Sequence, residues 1–241
     1  MKDKRGRGGK GTVVGPTGGQ RLLRTRVKTA RKRSNASARW LDRQLNDPYV
    51  AASKRDGMRS RAAYKLTEID EKYKLLKPGM RVVDLGAAPG GWSQVAAERV
   101  KSAQGNGQVI AIDYLGFEAL PGVVIFEQDF TDEATDAALK GALRDGRADI
   151  VLSDMAAPTT GHTRTDHLRI MGLAEEAAHF AVDVLTPNGS FLCKVFQGGT
   201  ERELLELLKR SFKTVRHVKP PASRKDSAEL YVLATGFRSE K

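Results

Sequence analysis

The chain is poor in the residues that cross-link or metallate a fold. It has one cysteine, Cys193, and four histidines, His162, His167, His179 and His217. A single cysteine excludes an intrachain disulfide and fits a reducing compartment, so a cytoplasmic location is expected. The histidines lack metal-ligand spacing, so neither a structural nor a catalytic metal is expected. No apolar run approaches the ~20 residues that span a bilayer. The N-terminus has no apolar segment of the kind that opens a secretory signal. A membrane partner is therefore not expected, and a monomer is the default.

What the chain does have is positive charge, unevenly placed. Residues 1–37 hold twelve lysines and arginines and one acid, Asp3, so they carry +11 of the net +12. This stretch is rich in glycine and almost without aromatics, and it cannot bury enough apolar surface to order itself. A basic arm, disordered in isolation, suits a polyanion such as RNA, because phosphate neutralisation rewards Lys and Arg. A merely solvated leader is the plain alternative.

From about Ala38 the pattern turns helical, with Trp40, Leu41, Leu45 and Tyr49 at helix-like spacing. A further helix reads from Arg61 to about Tyr73. Short Val/Ile/Leu runs then alternate with helical stretches. The runs lie at 81–84, 109–113, 123–126, 149–154 and 190–196, and the helices at about 91–101, 132–144, 166–185 and 200–211. Near-continuous apolar runs suit parallel strands covered on both faces, so the fold class is a Rossmann-like, doubly wound α/β sheet. Residues 215–218 and 230–234 have no helix between them and read as an antiparallel hairpin at the sheet edge. The domain reading is an arm over 1–37 and a catalytic domain over 38–241.

The strongest local feature is Asp84-Leu85-Gly86-Ala87-Ala88-Pro89-Gly90-Gly91-Trp92-Ser93, which follows the first strand and opens a helix. Glycines here let a ligand approach the backbone. The turn lacks the Gly-Lys-Ser/Thr of a P-loop and the Gly-x-Gly-x-x-Gly of a dinucleotide fold, so an NAD-dependent oxidoreductase is a weak reading. Asp84, Asp113 and Asp154 fall where strands stop, and Asp129 just after one. Four carboxylates on one rim suit a ligand rich in hydroxyls and amines better than one with phosphates. Lys194 sits inside an apolar strand, and lysine is seldom buried without a partner. Desolvation and a second cation such as Lys65 would favour its neutral, proton-accepting form. Cys193, one residue earlier, points to the opposite face and reads as core.

The stretch Val83–Gln94 resembles the FtsJ/RrmJ family of RNA ribose 2′-O-methyltransferases. So do Ser60-Arg61-Ala62-Ala63-Tyr64-Lys65-Leu66, Ser153-Asp154-Met155-Ala156 and Lys194-Val195-Phe196-Gln197-Gly198. The resemblance runs from about Asp47 to Gly236, with its motifs in the family's order. It implies S-adenosyl-L-methionine as cofactor and a seven-stranded mixed sheet whose seventh strand is inserted antiparallel. It implies a catalytic tetrad of Lys65, Asp154, Lys194 and Glu229, with Lys194 as the base. It also implies cofactor contacts from Gly90, Trp92, Asp113, Asp129 and Asp154, Asp113 holding the ribose hydroxyls and Asp129 the adenine side. The bacterial branch of the family implies 23S rRNA as partner, with a uridine ribose of the A loop in the large ribosomal subunit or its precursor as target. Where the family commonly has Pro-Asn after Asp-Met-Ala, this chain has Ala157-Pro158-Thr159-Thr160. A non-catalytic ribosome-assembly factor on the same fold is the rival reading.

Overall fold

The apolar runs become the strands of one sheet. The structure, a computed structural model, describes Thr25, Thr29 and residues 35–158, 160–197, 202–224 and 226–239. The arm expected over residues 1–37 falls almost wholly outside the described residues, as does the side chain of Trp40. The chain divides into two compact units, Met1–Asp56 and Gly57–Lys241. The unit that carries the sheet therefore begins at Gly57, where the sequence reading begins the catalytic domain at residue 38.

In the first unit the helical stretch after Ala38 is two helices, α1 (Asn35–Leu45) and α2 (Pro48–Arg55). The break is local chemistry. Asp47 caps α2, its carboxylate accepting the Tyr49 amide at 3.0 Å, and Pro48 supplies a preset φ at the first helical position.

The second unit contains α3 (Ala62–Tyr73), β1 (Arg81–Leu85), α4 (Gly91–Val100), β2 (Gln108–Asp113) and β3 (Val123–Glu127). It continues with α5 (Glu133–Ala142), β4 (Ala148–Ser153), α6 (Thr163–Val184), β5 (Leu185–Phe196), α7 (Arg202–Ser211), β6 (Phe212–Val218) and β7 (Glu229–Phe237). The strand order is β3-β2-β1-β4-β5-β7-β6. Strands β1 to β5 pair in parallel, whereas β7 runs antiparallel between β5 and β6. The expected mixed sheet with a reversed seventh strand is present. Among the described residues, no helix is long and apolar enough to cross a membrane.

Alternation along the strands sorts the core into two layers. Phe191, Cys193 and Val195 of β5 join Val83, Leu85 and Val151 under Leu139, Ala174 and Leu204 of α5, α6 and α7. Leu192 joins Val82, Ile150, Leu152, Tyr231 and Leu233 under Leu66, Ile69, Trp92 and Val95 of α3 and α4. Lys194 lies on this second face, and the reversed strand sets Tyr231 directly opposite it and Glu229 opposite Phe196.

Candidate active site

Two regions meet at the carboxyl ends of the parallel strands. The first is a buried network of cations and acids. Lys65 and Lys194 are each only 7% exposed. Lys65 comes from α3 and Lys194 from β5, while Asp154 follows β4 and Glu229 starts β7. The Lys194 ammonium donates to the Asp154 backbone carbonyl at 2.6 Å and lies 3.2 Å from its Oδ1. Lys65 Nζ is 2.8 Å from Glu229 Oε1 and 3.9 Å from Asp154 Oδ2. The four residues expected as a tetrad are thus brought together.

Tyr231 is the member that the sequence reading missed. Its hydroxyl accepts from Lys65 Nζ at 3.0 Å and donates to Asp154 Oδ1 at 2.8 Å, bridging the two halves of the network. Burial, with the Asp154 and Glu229 carboxylates, pushes its phenol well above the ordinary value, so it remains a neutral donor. Burial opposes the ionised form of Asp154, but the Lys194 and Lys65 ammoniums and the Tyr231 hydroxyl outweigh it. They hold that carboxyl below the usual range. The signal was available in part: Tyr231 is two residues from Glu229 and so shares its face. Glu229 is also braced from the β6–β7 loop, where Ser223 Oγ donates to its Oε1 at 2.9 Å. That loop is clamped to α3, since Ala222 donates its amide to Glu68 and accepts from Arg61 through its carbonyl.

The second region is an open cleft of about 790 Å³. Gly86 and Ala88 of the glycine turn, Asp113, Leu115, Asp129, Asp154 and Arg169 contribute to its lining. Asp113 is held by backbone on both oxygens, accepting from Ala88 N at 2.9 Å and Leu115 N at 2.8 Å. Asp129 accepts the Thr131 amide at 2.9 Å and hydroxyl at 2.8 Å on one oxygen, and those bonds hold its carboxyl below the ordinary value. Gly86 has φ +73°, and a Cβ there would lie 2.6 Å from Met155 Cγ, so glycine lets the segment after β4 close against the turn. The lining presents acceptors to hydroxyl and amine groups, and its ionised carboxylates repel phosphate.

One expectation needs correction, and two residues expected at the cofactor stand outside the lining of the cleft. Asp84 is not on the rim: it lies inside β1, fully buried, and accepts the Ser93 hydroxyl at 2.6 Å. Burial, with the Asp154 and Asp113 charges, pushes its carboxyl up to about 7 against the opposing Ser93 bond. Trp92 does not turn its indole to the cleft. The ring is 2% exposed, donates through Nε1 to the Ala62 carbonyl at 2.9 Å and lies 5.6 Å from the Tyr231 ring. Gly90 does not line the cleft either. A Cβ there would meet Arg59 Cδ at 3.0 Å, Phe117 Cε2 at 3.0 Å and Leu120 Cδ1 at 3.1 Å. Cys193 lies where expected, buried in the opposite core layer, with its thiol pushed up to about 12 by burial.

Sheet and cleft together define a Rossmann-like α/β protein with an open cleft at the strand ends and a lysine–carboxylate network beside it. The family model described as FtsJ-like methyltransferase matches residues 58–237, and the chain belongs to that family. The expectation of a methyltransferase is therefore borne out. The chain is 64% identical over 231 residues to the ribosomal RNA large subunit methyltransferase E of Parvibaculum lavamentivorans, covering 93% of this chain and 91% of that protein. It is 59% identical over 232 residues to the protein of the same name from Paramagnetospirillum magneticum, covering 95% of each. Among solved structures, a Plasmodium falciparum protein described as a ribosomal RNA methyltransferase superposes with a TM-score of 0.66 at 32% identity. That match covers 74% of this chain and 98% of the other.

Proposed function

We propose that the protein methylates the 2′-hydroxyl of a uridine ribose in the A loop of 23S rRNA, using S-adenosyl-L-methionine, on the large ribosomal subunit or its precursor. The observation that carries this reading is the sharing of Asp154: it anchors Lys194 and Tyr231 and also lines the cleft. Relatives named for large-subunit ribosomal RNA support the substrate. The charge of residues 1–37 supports RNA contact by that arm.

The cleft fits the cofactor by its donor set. Asp113 keeps lone pairs for a pair of ribose hydroxyls, and Asp129 keeps one oxygen for the amine of the adenine side. Asp154 closes the end next to the lysines. Gly90 and Trp92 serve the turn through their backbone, since the Trp92 indole is engaged elsewhere. When bound, S-adenosylmethionine supplies a methyl group already activated on its sulfonium.

The chain's own residues then orient the acceptor and move one proton. Lys194 Nζ, once its ammonium has released a proton to solvent, takes the proton of the ribose 2′-hydroxyl and is again an ammonium paired with Asp154. Lys65, held by Glu229 and Tyr231, fixes the other side of Asp154 and keeps a positive charge beside the developing alkoxide. Most of the acceleration comes from holding two reactants in register.

Incubation with methyl-labelled S-adenosylmethionine and ribosomal subunits, followed by digestion to nucleosides, tests the reading. The expected product is labelled 2′-O-methyluridine from 23S rRNA. Label on a base, or subunit binding with no label at all, would overturn it, the second outcome favouring an assembly factor.

A further inference from the structure

Arg59 lies in a basic segment, Arg59-Ser60-Arg61, ahead of α3, where charge alone suggests a phosphate contact. The structure uses it differently. Its Nη1 donates to the Glu118 carbonyl at 2.7 Å and the Pro89 carbonyl at 3.4 Å, and its Nη2 donates to the Ala119 carbonyl at 2.8 Å. The guanidinium carbon stands 5.9 Å from the Phe117 ring centroid. Its own backbone is fixed to α4, since Arg59 N donates to Gln94 Oε1 at 3.0 Å and Gln94 Nε2 donates to the Gly57 carbonyl at 2.9 Å.

The carbonyls it gathers belong to two loops that form the rim of the cleft. Glu118 and Ala119 lie in the loop after β2, downstream of Asp113 and Leu115, and Pro89 lies in the glycine turn. Asp113 joins these same two loops from inside, through Ala88 N and Leu115 N. A carboxylate therefore ties them on the cleft side and a guanidinium on the outer side. Glycine at position 90 makes room for this tie, because a side chain there would meet Arg59, Phe117 and Leu120 at 3.0–3.1 Å.

We infer that Arg59 is a positioning residue for the cofactor cleft, holding the β2–β3 loop against the glycine turn so that Asp113 and Leu115 are preset. The inference rests on the proposed reading that the cleft takes S-adenosylmethionine. The fork matters more than the charge: a lysine has its three donors on a single nitrogen and lacks the planar spread with which two guanidinium nitrogens reach carbonyls of adjacent residues and a second loop.

Calorimetric titration of the full chain with S-adenosylhomocysteine decides it. Arg59→Lys and Arg59→Ala should both weaken binding, by about tenfold or more, because one charge-assisted bond is worth about that and preorganisation is lost besides. With ribosomal subunits, KM for S-adenosylmethionine should rise in proportion, with a much smaller change in kcat and in the salt dependence of RNA binding. Phe117→Ala loosens the same loop without removing charge and should show the same pattern. If Arg59→Ala does not fold, Arg59→Lys and Phe117→Ala carry the test. Unaltered S-adenosylhomocysteine affinity in the folded variants overturns the inference, and a raised RNA KM with a flatter salt slope would then assign Arg59 to phosphate. A wild-type chain that fails to bind S-adenosylhomocysteine is a different result, which removes the cofactor reading itself.

Discussion

The cleft and the lysine network share Asp154 and differ in how they are built. The cleft is held by backbone: its outer carboxylates are oriented by amides, Leu115 and Thr131 two residues on and Ala88 of the glycine turn across from Asp113, and its ligand side is open to water. The network is assembled from chain segments far apart in sequence, at 65, 154, 194 and 229–231, and is nearly closed to solvent. A backbone-held carboxylate can select a ligand by hydrogen bonds with little rearrangement. Buried ions need one another, and removing one member leaves an uncompensated charge. Binding and proton transfer should therefore fail separately, and for different reasons.

Lys194→Arg is the sharpest way to break the network while leaving the cleft whole. Arginine keeps the charge and can still pair with Asp154, but a guanidinium does not shed its proton at usable pH. Turnover should fall by roughly 10²–10⁴-fold, the usual worth of a general base. S-adenosylmethionine affinity, read by calorimetry, should hold. Substantial turnover by the folded variant would mean that Lys194 provides charge alone.

Asp113→Ala is the complementary break. It removes a charge-assisted acceptor and the inner tie between the glycine turn and the β2–β3 loop. Cofactor binding should weaken by about 1.5–3 kcal/mol. The rate at saturating cofactor should change far less, because the network takes no contact from Asp113. An unaltered dissociation constant would place the ribose hydroxyls elsewhere.

The same contrast explains what the sequence made legible. Strands β1, β2, β4 and the inner half of β5 were readable because both their faces are buried, so each is a near-continuous apolar run, and the edge strand β3 reads the same way although Val124 is half exposed; the cleft acids followed as residues at or just past strand ends. Asp84 was misplaced by one residue of strand length. β1 runs on to Leu85, and a one-residue step turns a side chain from the rim to the interior. The tetrad was legible through motif resemblance. Tyr231 was not, because its role depends on the pairing of β7 with β5, and no local periodicity encodes which distant strand lies alongside. Arg59 was not singled out, and the place of the Trp92 indole was not legible, for a related reason: their partners are backbone carbonyls, which carry no sequence signature.

Asp84 lies between the two regions, and its buried carboxyl gives a pH signature. Its folded-state value is raised to about 7 from an ordinary 3.8, so between these values the folded state keeps a proton that the unfolded chain has lost. Its contribution to stability is full below pH 4 and is lost as pH rises through 7. The wild type should lose up to about 1.4 kcal/mol per pH unit in that window relative to Asp84→Asn, which has no proton to hold. Urea unfolding at pH 5, 6 and 7 measures the difference. Parallel curves would mean that Asp84 is ionised throughout.

The smallest effect is expected one residue from the largest. Cys193 and Lys194 are neighbours on β5, yet alternation sends the thiol into the core layer beneath α6 and α7 and the ammonium into the network. Burial lifts the thiol to about 12 from an ordinary value near 9, so it is neutral and inert across the pH range of the reaction. Cys193→Ala should keep nearly full turnover and the wild-type pH–rate profile, while costing about 1 kcal/mol of stability from lost packing. The native chain should resist iodoacetamide at pH 8 and react only when unfolded. If Cys193→Ala abolished methyl transfer in a folded protein, or if the native thiol alkylated readily, the separation of the two faces of β5 would be wrong. The assignment of proton transfer to Lys194 would then have to be shared with its neighbour.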